Sequence, residues 1–408
     1  MKRLPLIDGL RGYFLVFMLV NHLNFTGDYW LVHLNFRELA FVEDAQGFVF
    51  LSGLLVGMIY APRMLKHGFR LGAKAIHRRA GELYVHAVAL VGLAVLAFAV
   101  IPAAPPAWGD WLGALRLSRP SSLISAALLL FQPSFMDILP QYVVYMLAAP
   151  PIVWACAKGR GAMIAAGSFI LWLSAQLGVH LPLLAALNAW LVQHGQLGLR
   201  GSFNLLGWQI VFFSGAGLGV LTATGKARWG EVFSTRRTWA PKIALAICLI
   251  FLPFRIATAH GLMPQSWIDQ FNLIANRTDF GLIYLINFAA VAVGLAWLLI
   301  AGPQSPHRGV RRVARALTGV LTAPFLRLLG RHSLAVYCWH IPLIYAIRYL
   351  DMSVGPFSEP FKVGLGLACI PLLAIPALWL ERQRLTPPPS GAAARTRDHG
   401  AAVDPAFD

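Results

Sequence analysis

Ten apolar runs of 17 to 22 residues divide this chain, with short polar segments between them. They fall at 6–25, 42–61, 80–101, 138–157, 162–178, 203–224, 242–258, 280–301, 329–350 and 362–381. A helix rises about 1.5 Å per residue, so about 20 apolar residues cross the roughly 30 Å of a bilayer's hydrocarbon. Hydrocarbon offers a bare backbone no hydrogen bond, so runs of this length are expected to be helices. The expected fold is an all-α polytopic integral membrane protein with about ten transmembrane helices and the lipid bilayer as its first partner. A shorter apolar piece at 121–131 reads as interfacial or re-entrant. No internal repeat is visible, which removes the sequence support for a transporter built from duplicated halves.

Charge agrees with this reading once it is placed. Only 12% of the residues are charged, against about 25% in a soluble protein. The net charge is nevertheless +17. A nucleic-acid binder would stay polar between its basic clusters, and here the intervals are apolar, so no nucleic-acid partner is expected. With the N-terminus inside and sides alternating, the inner segments hold 23 Lys and Arg and the outer segments 5. That asymmetry predicts both termini in the cytoplasm. Residues 1–385 then form one transmembrane domain, and 386–408, rich in Pro, Gly and Ala, a disordered cytoplasmic tail. The first run holds Asp8, Arg11 and His22 and has no small-residue cleavage site, so no removable signal is expected. Cys156, Cys248, Cys338 and Cys369 lie inside or at the edges of apolar runs without a C-x-x-C pair, and neither a disulfide framework nor a metal site is suggested.

Ionisable groups within a span mark function. Arg11 and His22 are eleven residues apart and share a helix face, with His22 about 16 Å further along the axis. Asp8, one turn before Arg11, can pair with it. Read as packing, Arg11 snorkels to the interface and His22 bonds between helices. The shared face favours a site. Asp44, in Glu43-Asp44-Ala45-Gln46, falls at a depth similar to His22 and is the candidate to orient it; solvated loop acids are the plain alternative. Ser52-Gly53 and the Gly215-Ala-Gly217-Leu-Gly219 run suit close helix packing, and Ser52 lacks a nucleophile elbow. Asp137, Gln141 and Tyr142 at the outer edge of the fourth run, with Trp208-Gln209 in the sixth, suit a sugar; capping and interhelical bonding are the competing uses. Arg78 and Arg79 end a basic inner segment suited to phosphates, followed by Tyr84 and His86. His340 sits near the middle of the ninth run, two residues before Pro342, where a kink filler is the simplest role.

These residues carry a family likeness. Asp8-Gly9-Leu10-Arg11-Gly12 with His22 resembles the Arg-x10-His signature of the acyltransferase-3 superfamily of membrane acyltransferases. Phe50-Leu51-Ser52-Gly53 and the stretch from Gly330 to Pro342 resemble further segments of it. Asp137-Ile138-Leu139-Pro140 with Tyr142, Phe203-Asn204 with Trp208-Gln209, and Leu83-Tyr84 with His86 resemble the OpgC branch, over residues 5 to 381. Where the superfamily has an R-x-x-R motif, this chain has Arg79 followed by Glu82.

The resemblance implies transfer of a succinyl or similar acyl group from cytoplasmic acyl-CoA, a co-substrate and not a bound cofactor, to hydroxyls of periplasmic glucans. The setting it implies is a bacterial inner membrane. His22 would be the general base, Arg11, Arg78 and Arg79 would bind the donor, and Asp137, Tyr142, Trp208 and Gln209 the acceptor. The rivals are acetyl transfer, and a glucan or solute transporter with Arg11 and His22 lining its pathway. Oligomeric state is not readable from the sequence.

Overall fold

The computed structural model describes residues 4–102 and 104–385; the tail expected at 386–408 lies outside the described residues. Eighteen α-helices follow one another: α1 Pro5–His22, α2 Asp44–His67, α3 Phe69–Val100, α4 Ala104–Leu112, α5 Pro120–Ala127 and α6 Ile138–Ala157. Next come α7 Gly161–Gln176, α8 Leu181–Gln193, α9 Leu205–Ala223, α10 Trp229–Val232, α11 Trp239–Ala259 and α12 Gln265–Asn272. The last are α13 Leu282–Ile300, α14 Arg308–Leu321, α15 Pro324–Arg331, α16 Ser333–Val354, α17 Glu359–Leu372 and α18 Ala374–Leu385. Strand pairing among the described residues is limited to one bridge, Phe131 with Arg200.

Among the described residues, seven helical stretches are long and apolar enough to cross a membrane: α2, α3, α6, α9, α11, α13 and the continuous Glu359–Arg384 stretch of α17 and α18. Two bent pairs, α7 with α8 at 67° and α14 with α15 at 52°, raise the number to nine if each is one span. This multi-pass helical protein therefore differs in detail from ten straight runs. The expected fifth span stops at Gln176, and after Gly178 in the left-handed region a second helix, Leu181–Gln193, occupies what the hydropathy pattern reads as a connecting segment. The inner segment expected at 302–328 is largely helical, as α14 and the start of α15. Expected spans one and nine correspond to α1 and α16, which fall below the same apolar standard. Asp8, Arg11, Asn21 and His22 dilute the first, and His340, Arg348 and Asp351 the second.

Glycine sets the central packing. A Cβ at Gly53 or Gly57 of α2 would run into the carbonyls of Phe212 and Ala216, and one at Gly215 or Gly219 of α9 into those of Phe50 and Leu54. Two four-residue glycine repeats thus face each other, and the α2 and α9 backbones meet closely enough for dispersion to act without an intervening side chain. A second seam fixes α1. Gly9 and Gly12 abut the carbonyls of Leu321 and Leu326, and Gly330 abuts that of Asp8. The bent pair α14 and α15 therefore grips the first turns of α1, the end that carries Arg11.

The piece at 121–131 holds the short helix α5, and Ala127 at its end accepts the Tyr84 hydroxyl at 3.0 Å. Tyr84 lies about 24 Å along α3 from its Val100 end, so α5 packs beside the middle of the long helix.

The glycine seam yields the first prediction. Gly57→Leu or Gly219→Leu should destabilise the protein by at least about 1–3 kcal/mol, through forced separation of two backbones. Gly217, which has nothing within 4 Å of its would-be Cβ, should accept alanine without loss. Thermal unfolding of the purified protein in one detergent measures both.

Candidate active site along the first helix

Arg11, Leu15, Met18 and His22 form one stripe of α1, with Leu15 and Met18 fully packed and the two polar ends half-buried. At the lower end the Arg11 guanidinium sits 5.5 Å from the centre of the Phe48 ring, a cation–π contact worth more away from water. Phe48 stacks on Tyr142, and Tyr142 leans on Phe212, with ring centres 6.1 Å apart in each case. Asp8 lies one turn before Arg11 on the same helix, and Arg79 of α3 is within electrostatic reach. The Nε of Arg11 is buried with no hydrogen-bond partner. A buried donor left in that state is costly, so this is where an anionic or carbonyl group fits.

At the upper end His22 Nδ1 meets His340 Nε2 at 3.3 Å. His340 is completely buried, and its Nδ1 bonds the Tyr337 carbonyl one turn earlier in α16. A carbonyl oxygen only accepts, so His340 carries its proton on Nδ1. In the neutral ring Nε2 is then an acceptor, and His22 must donate to it from Nδ1. The remaining nitrogen, His22 Nε2, keeps a free lone pair. Two bonds therefore fix both tautomers, and they leave a base.

The wall of this site is strained. Phe135 holds a left-handed backbone with φ +71°, a conformation worth roughly 1–3 kcal/mol of strain for a residue with a side chain. Its ring lies 4.6 Å from that of His22, Trp111 packs edge-on against it at 4.9 Å, and its carbonyl accepts the Tyr337 hydroxyl at 2.9 Å. The same tyrosine thus anchors His340 through its carbonyl and Phe135 through its hydroxyl. Neither Phe135 nor Tyr337 carries a sequence signal for this part.

Asp44 departs from its expected role. Its Oδ2 accepts from Asn21 and, at 3.0 Å, from Asn35, whereas His22 turns to His340. The carboxylate thus positions the residue before His22 instead of bonding the imidazole. Asn35 reaches it because the segment after α1 folds back into the bundle, where Phe36 packs against Tyr13 and Phe17.

The expected acceptor residues separate. Tyr142 belongs to the Arg11 end, with Ser52 of α2 beside it. Asp137 precedes α6 and its Oδ2 accepts from the Ser202 backbone at 2.9 Å, tying down the 200–204 segment. Trp208 is wholly buried between Phe203 and Phe280, and its indole nitrogen donates to the carbonyls of Arg277 and Thr278. Gln209 exchanges two bonds of 2.7 Å with Ser168 of α7. Both side chains spend their polar groups on bonds within the protein.

On α3, Arg79 and Arg78 pair with Glu82 at 2.8 and 3.9 Å, and Arg78 remains largely exposed. Tyr84 bonds α5, as described, and exposed His86 bonds the Glu82 carbonyl of its own helix, so both lie apart from the histidine pair. Among the described residues no group of three or more His, Cys, Asp or Glu is arranged to hold a metal.

The packing role of Trp208 is testable. Trp208→Phe keeps the aromatic volume and leaves two buried carbonyls without their donor, so thermal unfolding should show a loss of about 1–3 kcal/mol.

Comparison with known proteins bears on the whole of this arrangement. No curated protein and no solved structure matches the chain. A family model described as OpgC protein does, over residues 3–385, and that family implies a glucan-modifying acyltransferase. The match runs from the first turn of α1 to the end of α18 and takes in both histidines, Arg11 and the two glycine seams, so the chain belongs to the OpgC family.

Proposed function

We propose that this protein transfers a succinyl group from acyl-CoA to hydroxyls of periplasmic glucans, with His22 as general base. The observation that carries the reading is the chain from His22 through His340 to the Tyr337 carbonyl, which leaves His22 Nε2 unprotonated and oriented. This is the logic of a catalytic triad with a neutral imidazole in the orienting place. Nε2 takes the proton of an acceptor hydroxyl as its oxygen attacks the thioester carbonyl. A C–O bond forms, the C–S bond breaks, and the proton passes from His22 to the departing thiolate. Correct placement of such a base is worth about 10²–10⁴ in rate.

Arg11 supports the same reading from the other end of the stripe. Its buried, unpartnered Nε and the nearby Arg79 form a cationic inner mouth for the anionic donor. In this reading that mouth faces the cytoplasm and His22 the periplasm of a bacterial inner membrane, an orientation that the charge asymmetry between segments supports.

The test is mass spectrometry of glucans from cells carrying wild-type or variant protein at matched membrane levels. His22→Ala should reduce acylation by about 10²–10⁴. His340→Ala should lower kcat without raising the KM of either substrate, and Arg11→Gln should raise the KM of the donor. Normal succinyl transfer by a well-inserted His22→Ala protein would refute the assignment.

A further inference from the structure

Beside the histidine pair lies a second polar cluster that the transfer step does not use. Asn21 precedes His22, and its amide nitrogen bonds Asp44, which Asn35 also bonds. Three atoms of this cluster are buried without a hydrogen-bond partner: Asn21 Oδ1, Asp44 Oδ1 and Arg37 Nε. Arg37 lies within electrostatic reach of both Asp44 and His22. Asn21, His22 and Arg37 each keep part of their surface open, and Asp44 stands behind them at 3% exposure.

Two acceptors and one donor left unmet in a membrane protein's interior are a large energetic debit unless something visits them. The charges decide what. Charges of both signs surround the cluster, Asp44 and Glu43 against Arg37 and Arg277, with Glu43 and Arg277 paired at 3.4 Å, so a visitor of either single charge is opposed and a neutral one fits. Hydroxyl groups both donate and accept, and so answer carbonyl, carboxylate and guanidinium together. We propose that Asn21, Asp44 and Arg37 form the acceptor subsite, which holds hydroxyls of a neutral sugar so that a neighbouring hydroxyl faces His22. The proposal rests on the acyl-transfer reading for what happens at His22, but not for the binding itself. It also moves acceptor recognition away from Trp208 and Gln209, which are already satisfied.

Asp44→Asn keeps the shape and removes the charge, and Arg37→Gln removes the donor fork. The full-length protein in nanodiscs would be assayed for thiol release from succinyl-CoA with a glucose oligosaccharide as acceptor. Each variant should raise the oligosaccharide KM by about tenfold or more, with donor KM unchanged. A fall in kcat at constant acceptor KM would overturn the subsite in favour of a purely structural role. A rise in donor KM with Arg37→Gln would overturn it in favour of an anion site for the acyl group. Calorimetric binding of the same oligosaccharide separates this proposal from the transfer reading. If wild-type protein releases no thiol yet binds the sugar more tightly than Arg37→Gln, the transfer reading fails and the subsite stands. Equal affinity of wild type and both variants would mean that ordered water alone fills the cluster, and the subsite would be wrong.

Discussion

Hydrocarbon supplies no partner to a polar side chain, so each polar group that α1 carries into the bundle has to be met by another part of the protein. His22 is met by His340, Asn21 by Asp44, and Arg11 by the Phe48 ring and the field of Asp8. Those partners come from α16 and α2, with Asn35 of the folded-back segment closing the Asp44 cluster. The arrangement of α1, α2 and α16 is therefore as much a solution to desolvation as to packing.

Such matching demands close backbones, and the glycine seams provide them. The α2–α9 seam brings Phe48, Ser52 and Phe212 against Tyr142 of α6, which builds the floor beneath Arg11. The seam of Gly9, Gly12 and Gly330 locks the start of α1 into the bend between α14 and α15, and α16 follows directly at Ser333. The angle at which α16 leaves that bend sets where His340 meets α1. The position of His22 Nε2 thus depends on glycines far from it, since a bundle whose helices stand further apart would leave both histidines unpaired.

Much of this was legible in the sequence where the signal is local. The 3.6-residue period places Arg11 and His22 on one face, and glycines four apart in α2 and α9 announce close packing. The span count was less legible because the polar residues carried by α1 and α16 lower their apolar character, and because Gly178 breaks one run into two helices. Pairings between distant segments were not readable at all. His22 and His340 are 318 positions apart, and nothing near either specifies the other. Asp44 bonds Asn21, the neighbour of the His22 it is expected to orient. Trp208 and Gln209 show the chemical form of the same limit. An indole and an amide suit a sugar and a neighbouring helix equally, and only the carbonyls of Arg277 and Thr278 and the side chain of Ser168 decide between them.

In the acyl-transfer reading, the choice of histidine over a carboxylate behind His22 has a consequence for the reaction. A carboxylate there would stabilise the imidazolium and let it persist. His340 fixes the tautomer but brings no countercharge, and the nearest carboxylate in this cluster, Asp44, is held by Asn21 and Asn35. An imidazolium in a low-dielectric interior without a bonded counter-ion is expensive, so its proton is given up readily. A base oriented but weakly compensated takes the hydroxyl proton only as the new C–O bond forms and releases it as the C–S bond breaks. A thiolate leaves without prior protonation, so the demand falls on activating the sugar hydroxyl, and there His22 contributes the fixed orientation of Nε2 and not a strong hold on the proton.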